Sequence, residues 1–130
     1  MVDNCSTFFF FDGNEKRIAW EIRSNDSKTE QIREHVNVYL NKVTKDQSKI
    51  IALHVGLFWG IGRFIIKNKD EIIVMIDNKN LFKAITKSIV ITDKFIQTRI
   101  HFINQLIKQR ELNIDYKLIE SKDNHLSELI

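Results

Sequence analysis

Phe8-Phe9-Phe10-Phe11-Asp12-Gly13-Asn14 and Ile72-Ile73-Val74-Met75-Ile76-Asp77-Asn78 are the two stretches on which the fold turns. Each is a short apolar run that ends in a carboxylate. Runs of this length without polar alternation read as strands covered on both faces, as in the middle of a sheet that contains parallel pairs. In open sheets of that kind, ligands collect beyond the carboxyl ends of the strands. If these two strands are parallel neighbours, Asp12 and Asp77 share one site.

Around the first run, Asp12-Gly13-Asn14 supplies turn chemistry before Arg17 to Arg23, which alternates polar and apolar and so predicts a hairpin. Ser24 to Lys28 is a second turn. His35-Val36-Asn37-Val38-Tyr39-Leu40 then reads as a third strand with Val36, Val38 and Leu40 on one face; a helix over 29–43 is the alternative. A helix is expected from about Gln47 to Ile66, with Thr44 or Asp46 available to cap it. It is apolar almost all round, and Ala52, Gly56 and Gly60 recur every four residues, leaving room for a close neighbour.

Past the second run, helices are expected over 79–87 and from Thr92 or Asp93 onward, the latter with Phe95, Ile96, Ile100, Ile103, Leu106 and Ile107 at helical spacing. Asn113 to Glu120 predicts a fifth strand, and a last short helix follows over 125–130. Three strands, a helix, a strand, one or two helices, a strand and a helix describe an α/β chain. The expected architecture is a five-stranded mixed sheet with helices on both faces.

At 130 residues with 43% hydrophobic side chains, the chain is long enough for one domain with a real core, and a single domain spanning 1–130 is expected. The longest apolar stretch is broken by Arg63 and then by Lys67-Asn68-Lys69-Asp70, so no membrane span is expected, and the opening residues lack a basic-then-apolar signal. The expectation is therefore a cytoplasmic protein without a membrane partner. Cys5 stands alone, with neither a disulfide partner nor metal-ligand spacing. A net charge of +3 is compatible with a polyanionic partner without requiring one.

This order of elements, with its strand-end residues, resembles the ribonuclease H family of the retroviral-integrase-like superfamily over nearly the whole chain. Members carry an acidic residue after the first strand followed by Gly and a small polar residue, as in Phe11-Asp12-Gly13-Asn14. They carry an Asp after the fourth strand, as in Ile76-Asp77-Asn78, and an acidic residue a few positions beyond an Asn near the end, as in Asn124-His125-Leu126-Ser127-Glu128. The resemblance implies a Mg²⁺- or Mn²⁺-dependent endonuclease acting on the RNA strand of RNA–DNA hybrids. Asp12 and Asp77 would be catalytic metal ligands, and Glu128 a third, outer catalytic acid. Hard cations of this kind take oxygen ligands, and a pair of them can stabilise both the attacking and the leaving oxygen. Gly13, Asn14, Thr44, Lys45 and Gln47 would contact the nucleic-acid backbone.

One position departs from the family. Its active members carry a Glu early in the first helix, and the best alignment of Lys49-Ile50-Ile51-Ala52-Leu53 places Lys49 there. An ammonium has no lone pair for a metal and pairs readily with carboxylates. His54 is a poor replacement, because five residues of helix rotate it by roughly 140° from Lys49. Asp46 lies one turn earlier and is either a helix cap or a substitute ligand; Asp123 is either a cap or a rival to Glu128. A catalytically inactive binding or scaffold protein is thus the alternative, as is a resolvase or exonuclease of the same superfamily. Lys79, Lys83 and Lys87 read as a solvated basic stripe. Trp20 and Trp59 read as core or interface residues, the latter opening the option of a homo-oligomer.

Overall fold

A computed structural model describes residues 6–130; Cys5 lies outside the described residues. Strands β1 (Thr7–Gly13), β2 (Arg17–Arg23), β3 (Lys28–Glu34), β4 (Glu71–Ile76) and β5 (Asn113–Leu118) form one sheet in the order β3-β2-β1-β4-β5. The first three are antiparallel, while β1–β4 and β4–β5 are parallel, so the sheet is mixed, as expected. The β1–β4 register pairs Phe10 with Met75. Two residues further on, Asp12 and Asp77 stand level at the carboxyl edge.

Strand alternation divides the apolar side chains between two faces. Phe9, Phe11, Trp20, Ile22, Ile72, Val74 and Ile76 face helices α1 (Lys45–Gly62), α2 (Lys79–Ile85) and α3 (Lys94–Gln109), and this layer holds the main core. Phe10 and Ala19 face the other way, onto Leu126 of a C-terminal 3-10 turn. Helical structure therefore covers both faces, unequally. At α1, Cβ atoms built on Gly56 and Gly60 would lie 2.6 Å from the Phe9 ring and 2.7 Å from Ile22 Cδ1. The small-residue row admits side chains of the sheet, so the helix settles directly onto β1 and β2.

Thr44 caps α1 through a reciprocal box, its hydroxyl accepting from Gln47 N while Gln47 Oε1 accepts from Thr44 N. The helix ends at Gly62, short of the expected Ile66, because Phe64 adopts φ 62° and the amides of Ile65 and Ile66 both turn back onto Gly60 O. Asn78 and Asp93 cap α2 and α3.

Two expectations are corrected. The third strand is Lys28–Glu34, not 35–40; Val36 and Val38 are exposed and their segment folds into turns. β3 is an edge strand held by its ladder to β2, from Arg17↔Glu34 to Arg23↔Lys28, and most of its side chains meet solvent. It therefore carries no apolar alternation to read. The expected last helix is replaced by 3-10 turns at Ser121–Asp123 and His125–Glu128. So short a segment cannot offset the cost of nucleating an α-helix, and burial of Leu126 anchors it instead.

Candidate functional site

The strand-end site is built from four side chains delivered by four elements. Asp12 closes β1, Asp77 follows β4, Lys49 projects from the first turns of α1, and Asn124 comes from the junction of the two 3-10 turns. Lys49 Nζ lies 3.0 Å from Asp12 Oδ1 and 2.7 Å from Asp77 Oδ1. Asn124 Nδ2 donates to Asp77 Oδ2 at 3.0 Å and to the Phe11 carbonyl at 2.9 Å. Gly13 N donates to Asp12 Oδ1. The side chains of Lys49, Asp12 and Asp77 are only 7%, 4% and 2% exposed. Burial alone would push the ammonium toward neutrality. The hydrogen bond that Lys49 donates to Asp77 and the charges of both carboxylates outweigh it, so the Lys49 pKa lies above the ordinary lysine value.

Around this centre, polar side chains bind the elements to one another. Asp46, offered in the sequence as a cap or a ligand, is not the cap, which is Thr44: its Oδ1 accepts from Asn78 Nδ2 at 2.7 Å and joins α1 to the cap of α2. Gly13 must be glycine, since a Cβ there would fall 2.4 Å from Ser48 Oγ and 2.7 Å from the Ser48 carbonyl carbon. His35 Nε2 lies 2.7 Å from Ser48 Oγ and 3.0 Å from the Asn14 carbonyl, tying the β1–β2 turn to α1. Burial depresses the His35 pKa, with the Asn14 carbonyl opposing it.

The residues expected to touch nucleic acid line one edge but are not equally free. Gly13 is buried, Asn14 Oδ1 accepts from Lys16 N and Arg17 N, and Thr44 and Gln47 form the capping box. Gln47 Nε2 also donates to Asp93 Oδ2. Lys45 is exposed, with no ion pair among the described residues. Lys79, Lys83 and Lys87 are exposed too.

Glu128, expected as the third catalytic acid, is not brought to the aspartates; it is an exposed residue of the last 3-10 turn. Without a regular helix, a residue four positions beyond Asn124 does not return to the site. Asp123 is exposed as well, and the cap of the last turn is Asn124, whose Oδ1 accepts from Leu126 N. Among the described residues, the one group of three potential metal-ligating side chains whose ligand atoms lie within 4.8 Å of each other is Glu21, Glu30 and His125, on β2, β3 and the last turn.

Solved structures with this architecture share the order of elements. RNase H1 from the halophilic archaeon Halobacterium salinarum NRC-1 superposes with a TM-score of 0.70 at 15% identity, covering 92% of this chain and 89% of that one. The fold is that of ribonuclease H. The N-terminal RNase H domain of a Mycobacterium tuberculosis protein matches at TM-score 0.69 and 13% identity, over 93% of this chain and 86% of that one. LC11-RNase H1, isolated from compost and solved in complex with an RNA/DNA hybrid, matches at TM-score 0.66 and 12% identity, over 92% and 88% of the two chains. No protein-family model matches the sequence, and no curated protein matches it significantly.

The ribonuclease H fold raises the question of a divalent ion between Asp12 and Asp77, where the sequence placed Mg²⁺ or Mn²⁺. The side chains present do not suit one. Mg²⁺ asks for a near-octahedral set of oxygens at about 2.0–2.1 Å. Here two carboxylates face an ammonium lodged between them, and Asn124 turns its donor nitrogen, not its oxygen, toward Asp77. Lys49 already supplies the positive charge. Two parts of this arrangement were not foreseen in the sequence, Asn124 and the Asp46–Asn78 pair. The signal for Asn124 lay in Asn124-His125-Leu126, where an Asn capping a short turn precedes a buried Leu.

Proposed function

We propose that this chain is a ribonuclease H-fold nucleic-acid-binding protein that engages an RNA–DNA hybrid or RNA without cleaving it. The observation that carries the reading is the Lys49 ammonium bridging Asp12 and Asp77. It neutralises the pair as a metal would, yet it cannot generate a metal-bound hydroxide and repels a second cation at close range. The hybrid bound by LC11-RNase H1 supports the choice of ligand. Lys45, exposed in the first turn of α1 and without an ion pair among the described residues, is the expected contact freest to meet a phosphate.

The test is a hybrid incubated with Mg²⁺ or Mn²⁺, alongside a binding titration across salt concentrations. Wild type and Asp77→Asn should both leave the hybrid intact, while wild type binds it with affinity that falls steeply with salt. Metal-dependent cleavage by wild type that disappears in Asp77→Asn overturns the reading and restores the endonuclease. Absence of binding even at low salt leaves a scaffold protein.

A further inference from the structure

A second cluster lies away from the strand-end aspartates, between α1 and α3. A groove of about 570 Å³ is lined by Tyr39, His54, Lys94, Phe95, Arg99 and Phe102, among others, and among the described residues no Asp or Glu lines it. That volume falls in the usual range for small-ligand pockets, about 300–1,000 Å³. Arg99 is half-buried, and its guanidinium finds only neutral partners: Nη2 donates to Tyr39 Oη at 2.9 Å and Nη1 lies 3.1 Å from His54 Nδ1. It also sits over the Tyr39 and Phe95 rings, 5.7 and 5.3 Å from their centroids. Burial, then the Arg99 charge, hold the His54 pKa below its ordinary value, which suits His54 to the acceptor role.

Half-burying a guanidinium among aromatic rings, with no carboxylate of the described residues in ion-pair range, leaves positive charge uncompensated, and Lys94, exposed at the rim, adds to it. Beside these cations Phe102 lies nearly parallel to the His54 imidazole, at 16° and 6.2 Å, and remains 46% exposed. A flat aromatic surface next to unpaired cations is the pairing that single-stranded nucleic acids use, with a base stacked and its phosphate neutralised. An acidic peptide would use the cations and leave the ring stack idle. The groove also adjoins the strand-end edge: Gln47 bonds Asp93 at the start of α3, and Tyr39 packs edge-on against His35, which contacts the Asn14 carbonyl.

We infer that the α1–α3 groove is a nucleotide subsite for a single-stranded segment, its phosphate held by Arg99 and Lys94 and its base stacked on Phe102. The site shares no residue with the Lys49 centre and goes beyond the hybrid-binding reading. It is tested with a short fluorescein-labelled oligouridylate and, separately, a blunt RNA–DNA hybrid. Phe102→Ala should weaken the oligouridylate about fivefold or more, as loss of one stacked base requires. Lys94→Gln and Arg99→Gln should each lower the salt slope of that binding by about 0.7. Hybrid affinity should stay unchanged in Phe102→Ala. Phe102 and Lys94 are exposed, so those variants remain informative if Arg99→Gln fails to fold. The inference is overturned if wild type does not bind the oligouridylate, or if Phe102→Ala and Lys94→Gln bind it as wild type does. It is equally overturned if Phe102→Ala only dissociates a dimer in sedimentation equilibrium. Failure of hybrid binding with oligouridylate binding intact would instead strike the strand-end reading.

Discussion

Two carboxylate pairs on this sheet are each bridged by one basic side chain, and they differ in what that bridging base is, how deeply it lies and whether a second base helps it. At the strand ends, Lys49 bridges Asp12 and Asp77 at 3.0 and 2.7 Å inside a nearly solvent-free pocket. On β2 and β3, His125 Nε2 meets Glu21 at 2.7 Å and Glu30 at 3.7 Å, with His125 and Glu30 38% and 32% exposed. Glu21 is fully buried but shared, because Arg23 reaches it too, at 2.6 Å. The first pair depends on one cation; the second spreads its charge over two bases and water. Removing a partner should therefore cost far more at the first.

The sharpest way to break that contrast is Lys49→Met. It leaves two buried carboxylates facing each other, and urea unfolding should show a loss of about 3–5 kcal/mol. Because the folded Lys49 pKa is raised, its contribution is complete below the ordinary lysine value of 10.5 and fades only as pH rises through the higher folded value. The ammonium's own contribution should accordingly stay complete through neutral pH. A loss under 1 kcal/mol would mean that the aspartates are not held by the ammonium.

Glu21→Gln tests the other cluster and should cost less, about 1.5–3 kcal/mol at neutral pH, the range for hydrogen bonds to a charged group. Burial pushes the Glu21 pKa up, but the hydrogen bond and charge of His125, then those of Arg23, bring it below the ordinary 4.5. A depressed carboxylate stabilises above its unfolded value, so the advantage over Glu21→Gln should be full above pH 4.5 and shrink as pH falls through the lower folded value. A pH-independent gap would show that the carboxylate's charge is not what holds the cluster. The smallest effect belongs to Glu128→Gln. This exposed residue should change stability by no more than about 0.5 kcal/mol, and calorimetry with Mn²⁺ should not distinguish the variant from wild type.

The parts of this architecture that announced themselves in sequence are those whose stability comes from burying a continuous apolar surface. β1 and β4 could be read from their unbroken runs, β5 and α3 from periodicity, and α1 from its cap and its apolar girth. β3 was hidden because a ladder to β2 needs no apolar side chain, whereas Val36 and Val38 alternate without burying anything. At the site, Asp12, Asp77 and the intrusion of Lys49 were legible because each sits at an element end that sequence can locate. Asn124 was not, since its role depends on where a short irregular turn crosses the sheet edge, which no periodicity encodes. The same irregularity removed Glu128 from the site.

Asn124 also bears on the order in which the molecule is made. Its bond to the Phe11 carbonyl joins residues 113 positions apart. Contacts of such separation carry a large loop-closure entropy and tend to form after local structure is in place. The strand-end site should therefore be sealed late, after the folding barrier has been crossed. In stopped-flow experiments Asn124→Ala should accelerate unfolding while leaving the refolding rate nearly unchanged. A slowed refolding limb would instead place this final stitch in the nucleus. With an unaltered limb, the chain completes its core first and closes its charged centre last.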